Sequence, residues 1–493
     1  MSDAVLRNGP VAAARASAPS LWTGLELVAP LGAHVRGGVP RRGAGGVSID
    51  TRTLQPDDLF FAIRGVSSDG HEHVAAAFET GALAAVVEEE RADALNGLGP
   101  LYVVRDTQRA LEDLGRAARA RTGARVAAVT GSVGKTSTKE ALRLALATAG
   151  QTHASVASYN NHWGVPLTLA RMPRETRFGA FEIGMNHPDE IRPLTGMVRP
   201  HLALVTTVAP VHLEAFESVE AIADAKGEIF EGLEPGGVAV LPADNPYFAR
   251  LKARARACGA DVVASFGEAQ GVEARLLSAT IEDGRGFVEA DVCGRILSFR
   301  LGAPGAHQAM NAIAALLCAH ALGVDLKTAA AALEGFRAQP GRGERLTFFA
   351  PDGGYTLIDE SYNANPASMR AAFALAGALA PQGRGRRIAV LGDMLELGED
   401  SARLHAELAA PLNEAGFDLV FAAGPLSRHL YDALPASARG AWAPDAAGIV
   451  PAVAGEVRAG DLVVVKGSNG ARLSAVVAAL KEASAGADAA RNA

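Results

Sequence analysis

The 493-residue chain is sparing with several things, and each scarcity excludes something. Its 3 cysteines, Cys258, Cys293 and Cys318, are scattered and lack metal-ligand spacing. That excludes a disulfide framework and a cysteine zinc site, and it suits a reducing, cytoplasmic compartment. No apolar run is long enough for a membrane span, so no membrane insertion is expected. Lys and Arg (47) do not outnumber Asp and Glu (54), and a net charge of −7 offers no general attraction for nucleic acid. Any anionic substrate must be held by local cations. Residues 1–20 contain only two arginines and no continuous apolar stretch. A disordered tail is the expectation there, with a transit peptide as the alternative. What remains, 49% hydrophobic and 20% charged residues, is the profile of a well-buried globular protein. The length suggests about three domains at roughly 150 residues each.

The most informative stretch is Thr130-Gly131-Ser132-Val133-Gly134-Lys135-Thr136-Ser137. A strand-like run, Arg125 to Val129, precedes it, and a helical pattern beginning at Ser137 follows. Strand, glycine-rich turn and helix start together make a phosphate site: backbone N–H groups approach the oxygens, the helix N-terminus adds positive potential, and Lys135 supplies a mobile cation. Thr136 would offer its hydroxyl to Mg²⁺. The longer Walker spacing is not met, because Val129 stands five residues before Gly134. An ordinary glycine turn capping a helix is the bland alternative, and strand, lysine and threonine together argue against it. Binding of ATP is the expectation.

The pattern along the chain predicts α/β throughout, in three domains: a small α/β N-terminal domain (21–106), a central P-loop-type domain (107–339) and a C-terminal α/β domain (340–493). In the first, a short helix over 21–31, strand-like runs at 47–52, 57–63 and 83–87, and a helix at 73–80 are expected. The central part alternates strands and helices, as a mostly parallel sheet with crossover helices requires. Strands are expected at 178–183, 202–206, 238–241 and 262–266, and helices at 107–121, 218–230, 309–322 and 326–335. From 272 to 301 the pattern changes to short alternating runs around Asp283-Gly284, predicting antiparallel hairpins. Pro340-Gly341-Arg342-Gly343 reads as a hinge. Beyond it come strands at 356–359, 388–391, 419–421 and 462–465, with a helical stretch over 402–415.

Three further residues say what is done with a nucleotide. Glu182 ends a strand-like run, His212 lies just past another, and Lys226 stands in Ala225-Lys226-Gly227-Glu228-Ile229-Phe230. Strand ends facing a phosphate loop collect ligands in parallel sheets, and a hard carboxylate suits Mg²⁺. Singly, each has a commoner bland explanation: an exposed loop charge, a structural histidine, a solvated lysine. Their order after the loop resembles the Mur ligase superfamily, the ATP-dependent amino-acid and peptide ligases of peptidoglycan synthesis. The resemblance runs over 21–480. It rests on 130–140, Asn160-Asn161 with Gly164 to Leu169, Glu182 to Gly184, Ala225 to Phe230, Ser361-Tyr362-Asn363-Ala364-Asn365-Pro366, and Leu391 to Gly398. Two departures stand out. His162-Trp163 replaces a smaller pair, and Gln308 occupies a position that is usually asparagine, leaving the hydrogen bonding near adenine open.

The resemblance implies a Rossmann-like C-terminal domain and the following roles. Lys135 would contact the β- and γ-phosphates. Thr136 and Glu182 would hold one Mg²⁺, and His212 with Lys226, the latter as an N-carbamate, a second. His307 and Asn311 would lie at adenine, and Arg342 and Asp359 would close on phosphate and ribose. Thr51, Arg52, Asp69 and His71 match uridine-nucleotide contacts of the first domain. Asn160, Asn161, Asn363, Asn365, Lys466 and Ser468 would bind the other substrate parts. The last two motifs point to a member that joins D-alanyl-D-alanine to UDP-N-acetylmuramoyl-tripeptide through an acyl phosphate, acting as a monomer. A sister ligase adding the third stem-peptide residue would carry D-N-P-R in the third domain, where none appears; Asp244-Asn245-Pro246 is central and is followed by Tyr247. Folylpolyglutamate synthase would leave the first domain unexplained. A nucleotide-binding regulatory module would lack the Glu182, His212 and Lys226 set.

Overall fold

The computed structural model describes residues 20–65, 68–156, 158–211, 213–282 and 284–492. The expected tail (residues 1–19 of it), His212 and the turn residue Asp283 lie outside the described residues. The chain forms two compact units, one of Met1–Val126, Gln151–Ile183 and Gly196–Arg199, the other of Ala127–Gly150, Gly184–Thr195 and Pro200–Ala493.

The first unit holds a five-stranded sheet of β1 (His34–Arg36), β2 (Gly46–Ser48), β3 (Asp58–Phe61), β4 (Ala84–Glu88) and β5 (Leu101–Val104). Its order is β1-β5-β4-β3-β2, parallel except for the β1–β5 edge. Strands β3, β4 and β5 are apolar except at the end positions Asp58 and Glu88, because both faces are covered. Leu59, Phe61, Val86, Tyr102 and Val104 face one core, while Phe60, Ala85, Val87, Leu101 and Val103 face another. Helix Thr107–Ala120 adds Ala110, Leu111, Leu114 and Ala118 to the first of these cores. Helix Gly24–Leu31 starts at Thr23, whose side chain forms a reciprocal capping box with Glu26. The same unit contains the parallel pair β7 (Thr152–Ala154) and β8 (Phe178–Glu182).

In the second unit, β6 (Arg125–Thr130, from Ala127 on), β9 (Leu202–Val205), β10 (Val238–Pro242), β11 (Val262–Gly267), β12 (Ala274–Glu282), β13 (Arg285–Val292) and β14 (Arg295–Leu301) are neighbours in the order β6-β9-β10-β11-β12-β13-β14. Pairing is parallel as far as β12 and antiparallel for β12–β13 and β13–β14, as the change of pattern at 272 predicts. The third sheet comprises β15 (Glu344–Ala350), β16 (Gly353–Glu360), β17 (Arg387–Gly392), β18 (Leu419–Ala423), β19 (Arg439–Ala443) and β20 (Leu462–Lys466). Its order is β15-β16-β20-β17-β18-β19, parallel except for β15. The expected α/β class, mostly parallel with three sheets, is what the chain adopts. Among the described residues no helix is long and apolar enough to cross a membrane.

Differences from the sequence reading are local. Strands β1, β5, β7, β15 and β19 are not in it. β1, β15 and β19 are sheet edges with half-exposed residues, and β5 is a four-residue apolar run too short to show a period. The stretch 402–415 is two helices, Ser401–Ala406 and Ala409–Glu414. Pro411 has no N–H to give the carbonyl of Glu407, so the first helix cannot run through. The phosphate-loop helix begins at Lys135, two residues early, because Gly134 ends the turn in the left-handed region. Helix Val219–Gly227 is capped by Ser218 and passes into a 3-10 turn, Glu228–Gly232.

Candidate functional site

The loop after β6 is shaped by two glycines. Gly131 has φ 149° and a Cβ there would run into the Thr206 hydroxyl; Gly134 has φ 85° and a Cβ would meet Asn311 Oδ1 at 2.7 Å. Both positions therefore require glycine on two grounds, conformation and space. The turn is tied to the chain after β9: Ser132 N donates to Thr207 O (2.8 Å), Ser132 Oγ donates to Ala209 O (3.0 Å), and Thr206 Oγ1 donates to Val133 O (2.5 Å). Thr130 and Thr136 are buried. Lys135 folds back over the loop, its Nζ donating to Gly131 O at 2.7 Å.

Lys226, on helix Val219–Gly227, is 2% exposed. Burial, and then the charge of Lys135, hold its pKa well below the ordinary lysine value. Among the described residues no carboxylate makes an ion pair with it, so the neutral amine is favoured. His307 and Asn311 share helix Ala306–Ala321, which packs on the phosphate-loop helix and brings Asn311 beside Gly134. Burial lowers the pKa of His307, with Glu360 and Lys466 as its charged neighbours. Gln308, the departure noted above, is buried and its Oε1 has no hydrogen-bond partner among the described residues.

At the C-terminal ends of β16 and β20, Glu360 and Lys466 lie side by side in register. Lys466 is 1% exposed and its Nζ donates to Glu360 Oε2 (3.1 Å) and Asn363 O (3.0 Å). Ser468 Oγ donates to Ala364 O (3.3 Å) and accepts from Leu395 N (2.9 Å). The structure thus brings Asn363, Lys466 and Ser468 together. Asn365 caps helix Pro366–Ala378 with its side chain, which commits that oxygen to Ser368 N. Asp359 accepts from Gly341 N (3.1 Å) and Ser361 N (3.0 Å), which pins the 341–343 turn, while the Arg342 guanidinium stacks 4.0 Å from the Tyr362 ring centroid.

In the first unit, Glu182 is buried at the end of β8 and accepts from Asn160 Nδ2 (2.7 Å). Asn161 Oδ1 accepts from the backbone of Trp163 and Gly164, setting the start of the next helix. Thr51 and Arg52 lie in the turn after β2, where exposed Arg52 is engaged by Asp50 (2.6 Å). Asp69 accepts from His71 Nδ1 (2.6 Å), and His71 Nε2 accepts from Glu88 N (3.0 Å), so both nitrogens of that buried ring are occupied. Glu360 and Asp393 are absent from the sequence reading as site residues. Glu360 directly follows Asp359 at a strand end, which was the available signal; Asp393 shows its inward-facing carboxylate only in three dimensions, where it accepts from Ser427 N at 2.7 Å.

Comparison with known proteins places this geometry. Family models match over most of the chain: the Mur ligase family, catalytic domain, over residues 44–122; the Mur ligase middle domain over 129–319; and the Mur ligase, glutamate ligase domain, over 344–469. The UDP-N-acetylmuramoyl-tripeptide–D-alanyl-D-alanine ligase of Bacillus subtilis (strain 168) is 33% identical over 440 residues, 89% of this chain and 93% of that one. The Escherichia coli (strain K12) protein of the same name is 33% identical over 441 residues, 88% of this chain and 93% of its own. Among solved structures, MurF from Acinetobacter baumannii superposes with a TM-score of 0.79 at 28% identity, covering 94% of this chain and 99% of its own.

Proposed function

The chain belongs to the Mur ligase family, and from that premise we propose that it joins D-alanyl-D-alanine to UDP-N-acetylmuramoyl-tripeptide at the expense of ATP, in peptidoglycan precursor synthesis. The observation that carries the reading is the phosphate loop, with Gly134 closed against Asn311 and Lys135 folded over it, in a chain matched nearly end to end by ligases of that name. The products are UDP-N-acetylmuramoyl-pentapeptide, ADP and phosphate. We assign the first domain to the uridine nucleotide, the central one to ATP, and the C-terminal one to the dipeptide and to closure, in a cytoplasmic monomer.

The chemistry needs a carboxylate to attack phosphorus, so two anions must meet. The loop's backbone N–H groups and the start of helix Lys135–Ala147 would draw the phosphates in, and the mobile Lys135 ammonium would follow the γ-phosphate. Asn311, held against Gly134, and His307 on the same helix would face adenine. The carboxylate oxygen bonds to phosphorus as the bond to ADP breaks, giving an acyl phosphate. The dipeptide amine then adds to the acyl carbon, loses a proton, and the tetrahedral intermediate expels phosphate to leave the amide. Arg342 and Asp359, near the 341–343 turn, would close over the reacting groups and keep water from the acyl phosphate.

The donors fit a hard cation: Thr136 and Glu182 offer buried oxygens, and they with His212 and Lys226 are the proposed Mg²⁺ ligands. Bound Mg²⁺ would neutralise phosphate charge during transfer. An ammonium at 226 would repel that cation. The lowered pKa of Lys226 supports the alternative form, in which the neutral amine adds to CO₂, making an N–C bond and releasing a proton. The test of the whole reading is phosphate release by purified protein with ATP, Mg²⁺ and UDP-muramoyl-tripeptide. Release should depend on D-alanyl-D-alanine; release with single amino acids in its place would point to a sister ligase.

A further inference from the structure

The loop that leaves β17, Asp393 to Gly398, is held from several sides. Asp393 O accepts from Ser468 N (3.0 Å). The next two backbone donors are taken by side chains of other elements: Met394 N donates to His405 Nε2 and Leu395 N to Ser468 Oγ, each at 2.9 Å. The second ring nitrogen of His405 donates to Ser401 O at 2.6 Å, within helix Ser401–Ala406. His405 is 1% exposed and Met394 is fully buried in the third-domain core, whereas Leu395 and Glu396 face outward. Glu396 has φ 64°, a left-handed conformation that a glutamate keeps only when its surroundings hold it. Leu395 lies over Gly470, where a Cβ would meet it at 2.7 Å. Burial lowers the His405 pKa, which leaves Nε2 free of a proton and able to accept.

We propose that His405 is a positioning residue for the acceptor dipeptide: with Ser468 it locks the backbone of 393–396 and so fixes the surface that Leu395 and Glu396 present beside the Asn363–Lys466–Ser468 cluster. The proposal rests on the D-alanyl-D-alanine reading above. Both ring nitrogens are engaged, so His405 acts through the loop and does not touch the dipeptide.

The test is steady-state kinetics on wild type, His405→Phe and His405→Gln, each with a thermal melt. Phe fills the ring's space but leaves the Met394 N–H without an acceptor, whereas Gln Oε1 can take the place of Nε2. His405→Phe should raise KM for D-alanyl-D-alanine about tenfold and KM for ATP by less than about twofold, the scale of one unsatisfied buried N–H acting locally. His405→Gln should recover most of that loss. Both KM values rising together, or Gln no better than Phe at equal Tm, overturns the proposal. Should His405→Phe fail to fold, His405→Asn replaces it, since the shorter amide cannot reach Met394; equal dipeptide KM values for Gln and Asn then overturn the proposal. Absence of dipeptide-dependent phosphate release by wild type overturns the functional reading and this proposal with it. That result is distinct from an active wild type whose variants show no KM split.

Discussion

Two regions of the second unit each bury a lysine almost completely, and they treat it in opposite ways. At the ends of β16 and β20, Lys466 sits beside Glu360 with a carboxylate oxygen 3.1 Å from its nitrogen. Behind the phosphate loop, Lys226 has another cation, Lys135, as its charged neighbour. A buried lysine in contact with a carboxylate is half of a pair, and removing either half strands the other. A buried lysine next to a second cation is driven toward the neutral amine. The first arrangement builds a fixed polar platform. The second favours the neutral amine, the form that the proposed carbamylation needs. Similar burial thus accompanies an ion pair in one place and a lowered lysine pKa in the other, and the difference lies in the sign of the neighbour.

The sharpest way to break this comparison is at Lys226 itself. Lys226→Ala should lose activity by at least about a thousandfold, beyond the loss of one ordinary electrostatic stabiliser. Short carboxylic acids added to the assay should restore part of it by taking the place of the proposed carbamate. Lys226→Arg should remain inactive with or without them, because the guanidinium keeps its charge. Rescue by Arg and none by carboxylates would make Lys226 a plain cation and erase the contrast. Next in size is Lys135→Ala, which removes the neighbour. Turnover should fall about a hundredfold with the fold intact, on the scale of one lost phosphate-stabilising cation; near-normal turnover would rule the loop out as the catalytic ATP site. On the platform side, Asn363→Ala should raise KM for D-alanyl-D-alanine about tenfold, the scale of one lost hydrogen-bonding contact, with KM for ATP nearly constant. Parallel movement of the two constants would mean that Asn363 shapes the fold rather than reads the dipeptide.

The smallest expected effect tests the burial rule on a base with no assigned chemistry. His153 on β7 hydrogen-bonds Thr168 O (2.8 Å), and burial lowers its pKa from 6.5 to about 4. Its folded pKa is depressed, so the unfolded chain takes up the proton first as pH falls. Its contribution is present above pH 6.5 and is lost between there and about 4. Chemical denaturation across that range should show wild-type stability falling more steeply than that of His153→Phe. Equal slopes would remove His153 as a case of proton loss by burial.

How much of this could be read along the chain depends on how local each feature is. The phosphate loop is contiguous, and its glycines, lysine and threonine announce a strand-to-helix turn without help from the rest of the fold. The platform is the opposite case. Glu360, Asp393, Lys466 and Ser468 come from three strand ends separated by as much as 108 positions along the chain, and only the insertion of β20 between β16 and β17 makes them neighbours. The resemblance could single out Lys466 and Ser468; it could not say that Glu360 neutralises one and that the other holds Leu395 N. His405 was invisible for a similar reason, since a histidine on a short helix has no pattern that reveals where its ring points. The buried strands stood out as apolar runs, whereas edge strands β1, β15 and β19 are half-buried at many positions and carry charged or small residues that blur the pattern.

The order β15-β16-β20-β17-β18-β19 also bears on how the chain is made. The strand at the centre of the third sheet is the last to leave the ribosome. Until Leu462 to Lys466 emerges, β16 and β17 have no strand between them, and each exposes a row of unpaired backbone groups and apolar side chains. The hairpin β15–β16 and the β17–β18–β19 segment can exist before that moment only as separate pieces. Completion of this sheet is therefore a late, all-or-none event in vectorial synthesis, and the interval before it is when a nascent chain most needs protection from aggregation.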